Sequence, residues 1–445
     1  MSIWNSNDAE KATNGTSSQE WSGGKLTIDS RNIEKDDIFV ALSGENTDGH
    51  NYVSEALKRG ASCAIISKDI NENIATLKVS DTLTAIDDLA IYRRNQTQAK
   101  MIAVTGSVGK TTTKEMLKLA FSALGKTHSS QGNYNNRLGM PISLASMDHD
   151  CDYGIFEIGM NHSGEISPLS DFLKPDLAII TIIAPVHIEF FDSVEDIALA
   201  KAEIFSGMKP GSTAILNIDN KYHYILEELA KKKGLRVINC GEEGDSKLIE
   251  INGDTITANI MGEIIVYKMQ QVPEHLIKNS IYVLSAVKAL GGDLKKAAAN
   301  LINFFSLKGR GKKSEIYLDG KKVILIDDSY NASPPSVKAA LASLGKYKNR
   351  KIAILGNMLE LGENSVKFHV DLKEDIESNN IDKVITFGNL MHELHKCLPD
   401  NKKLSHIETL DELITYVNNI SVDGDVILVK GSHGSRLYQF VEHIS

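Results

Sequence analysis

The chain has 445 residues, 42% hydrophobic and 24% charged, enough apolar material for packed cores and enough length for about two to four domains. A net charge of −9 argues against a broad nucleic-acid-binding face, and no apolar run approaches the roughly 20 residues that span a bilayer. The opening Met1-Ser2-Ile3-Trp4-Asn5-Ser6 has no basic or apolar leader, and Cys63, Cys151, Cys240 and Cys397 stand singly without metal spacing, so a cytoplasmic protein with reduced thiols is the expectation.

Residues 1–98 form a first unit. Ile38-Phe39-Val40-Ala41-Leu42 predicts a buried strand, 44–50 a turn-rich loop, 52–59 a short helix ending at Gly60, and Ala64-Ile65-Ile66 a further strand. The small, polar stretch 14–24 predicts a loop. Asp29-Ser30-Arg31 offers a hydroxyl and a guanidinium, which suit a diphosphate or a uracil edge and equally make a surface turn.

Residues 99–311 follow an α/β pattern. Met101-Ile102-Ala103-Val104 predicts a strand, and Met116, Leu117, Ala120, Phe121 and Leu124 recur at helical spacing. Between them lies Thr105-Gly106-Ser107-Val108-Gly109-Lys110-Thr111-Thr112-Thr113. The unpaired N–H groups and dipole of a helix start attract phosphate there. Lys110 can reach terminal phosphates, and the Thr111 hydroxyl can hold Mg²⁺. Val104 stands where the first glycine of G-x-x-x-x-G-K-[ST] belongs, so this is a shortened variant of that loop.

Strands predicted at 155–158, 177–183, 213–217 and 236–240 alternate with helical stretches, as a parallel sheet requires. Residues 249–269 suggest a small antiparallel excursion and 279–290 a closing helix. Glu157, at a strand end in the same domain as the phosphate loop, suits a Mg²⁺ ligand or a solvated carboxylate. His187 follows another strand on the same rim, where a lone histidine serves structure as readily as chemistry. Asn133, Asn135, Asn136 and Arg137 form a polar loop able to grip a polar substrate, or simply a flexible connection. Lys201 and Glu203 lie on a predicted amphipathic helix, where a lysine is ordinarily a solvated charge. His275 and Asn279 stand a turn apart and could meet a planar base. Arg310, in Gly309-Arg310-Gly311, suits a phosphate or a helix cap at a domain junction.

In residues 312–445, strands predicted at 322–326, 351–355, 383–387 and 426–429 suggest a smaller doubly wound sheet, which binds ligands beyond its carboxyl strand ends. Asp327-Asp328-Ser329-Tyr330-Asn331 and Gly356-Asn357-Met358 lie there. Asp328 and Asn331 are spaced for a ribose diol or an adenine edge, while Lys430-Gly431-Ser432-His433-Gly434-Ser435-Arg436 reads as mainly structural.

The combination resembles the Mur ligases, ATP-dependent amide-forming enzymes of peptidoglycan synthesis. It is carried by the residue 105–112 loop, Glu157, His187, Ala200-Lys201-Ala202-Glu203, His275 with Asn279, Gly309-Arg310-Gly311 and the residue 327–334 run. Asp29-Ser30-Arg31, Phe39-Val40-Ala41-Leu42, Thr47-Asp48-Gly49-His50, Gly132-Asn133-Tyr134-Asn135-Asn136 and residues 355–362 are most similar to members that join D-Ala-D-Ala to UDP-N-acetylmuramoyl-tripeptide. The D-N-P-R motif of the diaminopimelate-adding relatives is absent.

The resemblance implies three α/β domains. Residues 1–98 would bind the UDP substrate, residues 99–311 ATP on a parallel phosphate-loop sheet, and residues 312–445 would close over both as a Rossmann-like sheet. It implies substrate contacts from Ser30, Arg31, Thr47, Asp48, Asn133, Asn135 and Asn136. It implies nucleotide contacts from Gly106, Ser107, Val108, Gly109, Lys110, Thr111, Thr112, His275, Asn279, Arg310, Asp328 and Asn331. Mg²⁺ would lie on Thr111, Glu157, His187 and Lys201, with Lys110, Lys201 and His187 catalytic and Lys201 carbamylated. The expected partners are small molecules acting on a monomer, with no nucleic acid and no membrane span. Two alternatives remain: a ligase of the folylpolyglutamate synthetase type, against which Asp29-Ser30-Arg31 and the asparagine-rich loop speak, and a phosphate-loop nucleotide switch.

Overall fold

The computed structural model describes residues 2–44, 47–70, 74–270 and 273–445; Glu45 and Asn46 of the expected 44–50 loop lie outside the described residues. Among the described residues the strands form four sheets. In the first large sheet Thr76–Lys78, Cys63–Ile66, Ile38–Val40 and Leu26–Thr27 run parallel, and Thr16–Ser17 adds an antiparallel edge. Ser22–Gly23 pairs with Trp4–Asn5. Part of the 14–24 stretch is therefore strand: backbone pairing to existing edges holds it, so its small polar side chains carry no period-2 pattern.

The central sheet has nine strands in the order Glu263–Lys268, Thr255–Ile260, Ser246–Asn252, Arg236–Cys240, Thr213–Asn217, Leu177–Ile180, Lys100–Thr105, Tyr153–Glu157, Thr127–Ser129. The first two pairings are antiparallel, as the irregular alternation suggested, so Thr255–Ile260 alone runs against the other strands, and the remaining pairings are parallel. Met101 to Thr105 is buried on both faces, which accounts for its unbroken apolar run. From Lys100–Thr105 the chain turns toward one side of the sheet, and from Leu177–Ile180 toward the other, so these two neighbours flank a topological switch point. The strand expected at 177–183 stops at Ile180, because the next residues leave the sheet to pair with the phosphate loop: Ser107 N donates to Ile182 O at 2.8 Å.

The third large sheet runs Lys312–Leu318, Lys321–Asp328, Val426–Lys430, Lys351–Gly356, Lys383–Phe387, Lys403–Ile407, parallel after the opening hairpin. Asp328, Lys430 and Gly356 end their strands on one edge.

Packing divides the molecule unevenly. One apolar cluster, including Trp4, Ile65, Leu89, Met140, Phe156 and Leu216, runs unbroken from the first sheet into one face of the central sheet. Trp4 Nε1 donates to Ala145 O at 2.8 Å and Arg94 Nε to Leu173 O at 2.6 Å across the same boundary. The other face of the central sheet buries Val104, Phe121 and Ile281 in a second cluster. The third sheet has clusters of its own, drawn from residues after 315. No helix among the described residues is long and apolar enough to cross a membrane.

Candidate active site

The phosphate loop joins the strand Lys100–Thr105 to the helix Lys110–Ser122, as the alternation of patterns predicts. Gly106 has φ +146°, and a Cβ there would stand 2.0 Å from Thr181 Oγ1, so only glycine lets the loop approach the neighbouring strand. Thr181 Oγ1 donates to Val108 O at 2.6 Å, and Ser107 Oγ donates to Ala184 O at 3.0 Å. The loop is thus pinned at the switch point. Lys110 Nζ curls back onto Gly106 O at 2.8 Å. Burial pushes its pKa down, Glu157 opposes that shift, and Arg310 adds to it.

Glu157 is not the solvated strand end its position also allowed; it is 2% exposed. Thr111 Oγ1 donates to its Oε2 at 2.7 Å and Asn135 Nδ2 to its Oε1 at 2.7 Å. Both hydrogen-bond partners are neutral, and the carboxylate's electrostatic attraction acts on Lys110, whose pKa it holds up against burial. A hydroxyl and a buried carboxylate beside a phosphate cradle are the oxygen donors that Mg²⁺ prefers.

Lys201 departs most from its helix pattern. It is 2% exposed, on the helix Val194–Ala202, whose inward face is Ile197, Ala198, Ala200, Lys201 and Ala202. The alanines leave room for the lysine stem inside. Burial drives its pKa far below the ordinary lysine value, and nearby Lys110 lowers it further. Glu203 instead ties down another segment, accepting from Gly164 N at 2.6 Å and Ile166 N at 3.1 Å. His187 Nδ1 is bonded to Glu360 Oε2, which belongs to the third sheet's loops.

Across the cleft, Gly309 N donates to Asp327 Oδ2 and Gly311 N to Asp327 O, both at 2.7 Å, so the connection between sheets is docked on the strand end Asp327–Asp328. Gly309 has φ +75° and lies where a Cβ would meet Tyr330 Cβ at 2.9 Å. The Arg310 guanidinium sits 4.0 Å from the centre of the Tyr330 ring, rather than capping a helix. Asp328 is ion-paired to Lys430 Nζ at 2.7 Å, and the same nitrogen donates to Asn331 O at 2.9 Å.

These groups converge. A cavity of about 460 Å³ is lined by residues 107–112, by Asn133, Asn135, Glu157 and His187, by His275, Asn279 and Arg310, and by Asp328 and Asn331. A second, of about 580 Å³, shares Thr111, Asn133, His187 and Arg310 with it. Gly106 and Lys201 line neither, the first shaping the loop from behind and the second buried. Asn136 is turned away: its Oδ1 accepts from Gly139 N at 2.8 Å and fixes the start of the helix Gly139–Ala145. Arg137 pairs with Asp87, bridging to the first unit.

Ser30, Arg31, Thr47 and Asp48 lie elsewhere, beyond the carboxyl ends of Leu26–Thr27 and Ile38–Val40, and they line neither cavity. Arg31 is exposed and holds Asp29 through Nε at 2.8 Å, which brings that carboxyl down to about 2. Lys68 and His50 hold Asp48, placing its pKa far below the usual carboxylate range. Thr47 Oγ1 donates to Tyr52 Oη at 3.4 Å.

Four further residues shape the site. Thr181, Glu360 and Lys430 make the contacts given above. The fourth, Lys114, is fully buried and donates to Ser130 O at 2.7 Å and Gly132 O at 3.2 Å, anchoring the asparagine-rich loop. Lys114 carried a faint signal, since it stands one turn after Lys110 and shares the helical spacing of the apolar Leu117 and Phe121.

Comparison with known proteins matches this chain to three domain models: Mur ligase family, catalytic domain (residues 25–103); Mur ligase middle domain (104–287); and Mur ligase, glutamate ligase domain (314–433). The UDP-N-acetylmuramoyl-tripeptide–D-alanyl-D-alanine ligase of Rickettsia prowazekii is 37% identical over 99% of both chains. The chain belongs to the Mur ligase family. Among solved Mur ligases, the MurF crystal structure from Acinetobacter baumannii superposes with a TM-score of 0.85 at 30% identity, covering 99% of this chain and 98% of that one. MurF ligase from Thermotoga maritima, solved in complex with ADP, gives 0.78 at 25% identity, covering 95% and 97%.

Proposed function

We propose that this Mur ligase joins D-Ala-D-Ala to UDP-N-acetylmuramoyl-tripeptide at the cost of ATP, making a peptidoglycan precursor. The family match and the full-length likeness to D-alanyl-D-alanine-adding relatives support the reaction. The observation that carries the site assignment is the buried Glu157, bonded to the phosphate-loop Thr111 and attracting Lys110, in a cavity that Lys110 and Arg310 also line.

The tripeptide carboxylate attacks the γ-phosphorus of ATP; ADP leaves and an acyl phosphate forms. The D-Ala-D-Ala amine then attacks the acyl carbon, phosphate leaves, and the nitrogen loses its extra proton. A carboxyl of pKa about 3.3–3.7 is already ionised near pH 7. An α-amine of pKa about 7.7–8.0 is roughly 10–20% neutral, a penalty of about 1 kcal/mol. Strong base catalysis is therefore not demanded; bringing two anions together is the harder problem. Lys110 and Arg310 neutralise phosphate charge, and backbone N–H groups of residues 108–112 hold it. His275, Asn279, Asp328 and Asn331 orient the nucleoside, with Lys430 fixing Asp328. Closure of the third sheet over the cavity excludes water from the acyl phosphate.

Thr111, Glu157, His187 and Lys201 would hold the divalent cation, which when bound supplies charge neutralisation and Lewis-acid polarisation of the phosphoryl oxygens. Lys201 fits that set as a carbamate. Burial favours its neutral amine, the form that attacks CO₂, and loss of a proton leaves a carboxylate where a cation would repel the metal. The UDP end of the substrate is assigned to Ser30, Arg31, Thr47 and Asp48, with Asn133 and Asn135 nearer the reacting end. Unpaired cysteines at 63, 151, 240 and 397 support a reducing, cytoplasmic setting.

Phosphate release from ATP, measured with and without each of the two other substrates, tests the assignment. The expected result is release that requires both, with one new peptide bond per phosphate. Turnover indifferent to the dipeptide would point instead to a nucleotide switch.

A further inference from the structure

Two residues facing each other across the cleft adopt the left-handed backbone conformation that side chains disfavour. His187 (φ 59°) follows the strand Leu177–Ile180, and Glu360 (φ 61°) follows the strand Lys351–Gly356 of the third sheet. Strain of this kind persists only where its surroundings enforce it. These two strained residues are bonded to one another, His187 Nδ1 to Glu360 Oε2. Glu189 N also donates to Glu360 O at 3.4 Å. The Glu360 loop is braced from behind: Met358 N donates to His369 Nε2 at 2.9 Å, Leu359 N to Ser432 Oγ at 3.0 Å, and Ser432 N to Asn357 O at 2.9 Å. Glu360 is thus a carboxylate on a stiff arm of one sheet, touching a histidine of another.

An imidazole has one proton to place when neutral. A carboxylate at Nδ1 draws it there and leaves the Nε2 lone pair free. Metal-bound histidines are oriented in this way by an outer carboxylate. Glu360 and His187 line the same cavity as Thr111 and Asn133. We propose that Glu360 is a positioning residue that sets the tautomer and ring orientation of His187 so that Nε2 ligates the divalent cation, making assembly of the cation site depend on docking of the third sheet. This rests on the assignment of His187 to the cation site given above.

The test uses the full-length enzyme with ADP and Mn²⁺, following Mn²⁺ binding by electron paramagnetic resonance in wild type, Glu360→Gly, Glu360→Gln and His187→Ala. Glycine relieves the left-handed strain, so Glu360→Gly should melt at or above the wild-type temperature yet bind Mn²⁺ about tenfold or more weakly. Glu360→Gln keeps an oxygen that accepts from Nδ1–H and should stay near wild type. Weak Mn²⁺ binding in His187→Ala with undiminished binding in Glu360→Gly overturns the role of Glu360 alone. Equal binding by wild type and His187→Ala removes His187 from the cation site and the proposal with it. A Glu360→Gly enzyme with normal Mn²⁺ affinity and a raised KM only for D-Ala-D-Ala would make Glu360 a dipeptide contact instead.

Discussion

At the strand ends of the first sheet, Asp29 and Arg31 hold each other in solvent, and Asp48 is held by Lys68 and His50. At the strand ends of the central sheet, Glu157 is buried with neutral hydrogen-bond partners, and the helix lysine Lys201 is buried where Lys110 further lowers its pKa. The first arrangement is complete without a ligand, and its pairs contribute little because water screens them. The second holds its ionisable groups out of water, and burial lowers the pKa of both lysines. On the proposed assignment, the first region would give modest, replaceable binding and the second would carry the chemistry.

Four substitutions sharpen or break that contrast. The largest effect belongs to Lys110→Ala: ADP formation should fall by about 10³-fold or more while circular dichroism stays native. Unchanged turnover would remove Lys110 from phosphate neutralisation. Lys201→Ala should lose about 10²-fold, with partial recovery on adding short carboxylates; full activity of the variant in CO₂-depleted buffer would exclude the carbamate. Asp328→Ala should raise the KM for ATP about tenfold and leave that for the UDP substrate nearly unchanged, as expected on losing one charged hydrogen-bond partner. The reverse ranking would move Asp328 to the other substrate.

The smallest effect is expected for Arg31→Ala, about a fivefold rise in KM for the UDP substrate with no measurable change in melting temperature at pH 7. Asp29 has its folded pKa below the unfolded value. Whatever its pair adds to stability is therefore present above about pH 4 and lost as the pH falls toward 2, where wild type and variant should melt alike. A large loss of stability at pH 7 would erase the difference between the two regions.

Local pattern carried much of this architecture. Thr213–Asn217, Arg236–Cys240 and Lys383–Phe387 form with the boundaries their apolar runs suggest, and the strand–loop–helix of the phosphate site follows from its change of period. What stayed hidden depends on partners distant in sequence. Lys201 belongs to a helix whose environment only tertiary packing decides. The pairs Asp328–Lys430 and His187–Glu360 join residues 102 and 173 positions apart, brought together by parallel crossovers and by contact between sheets. Asn136 shows the opposite effect, a polar residue in a substrate-like loop that is consumed by starting a helix.

The apolar cluster shared by the first and central sheets has a mechanical consequence. Those two regions form a solid block, so the span from Ser30 and Arg31 to Lys110 is a fixed gauge. The third sheet, with apolar clusters of its own, is the part free to move as a separate body against that block. With the UDP group seated as proposed, the block measures the substrate: a peptide stem one residue too short would leave its carboxylate out of reach of the γ-phosphate, however fully the lid swings shut.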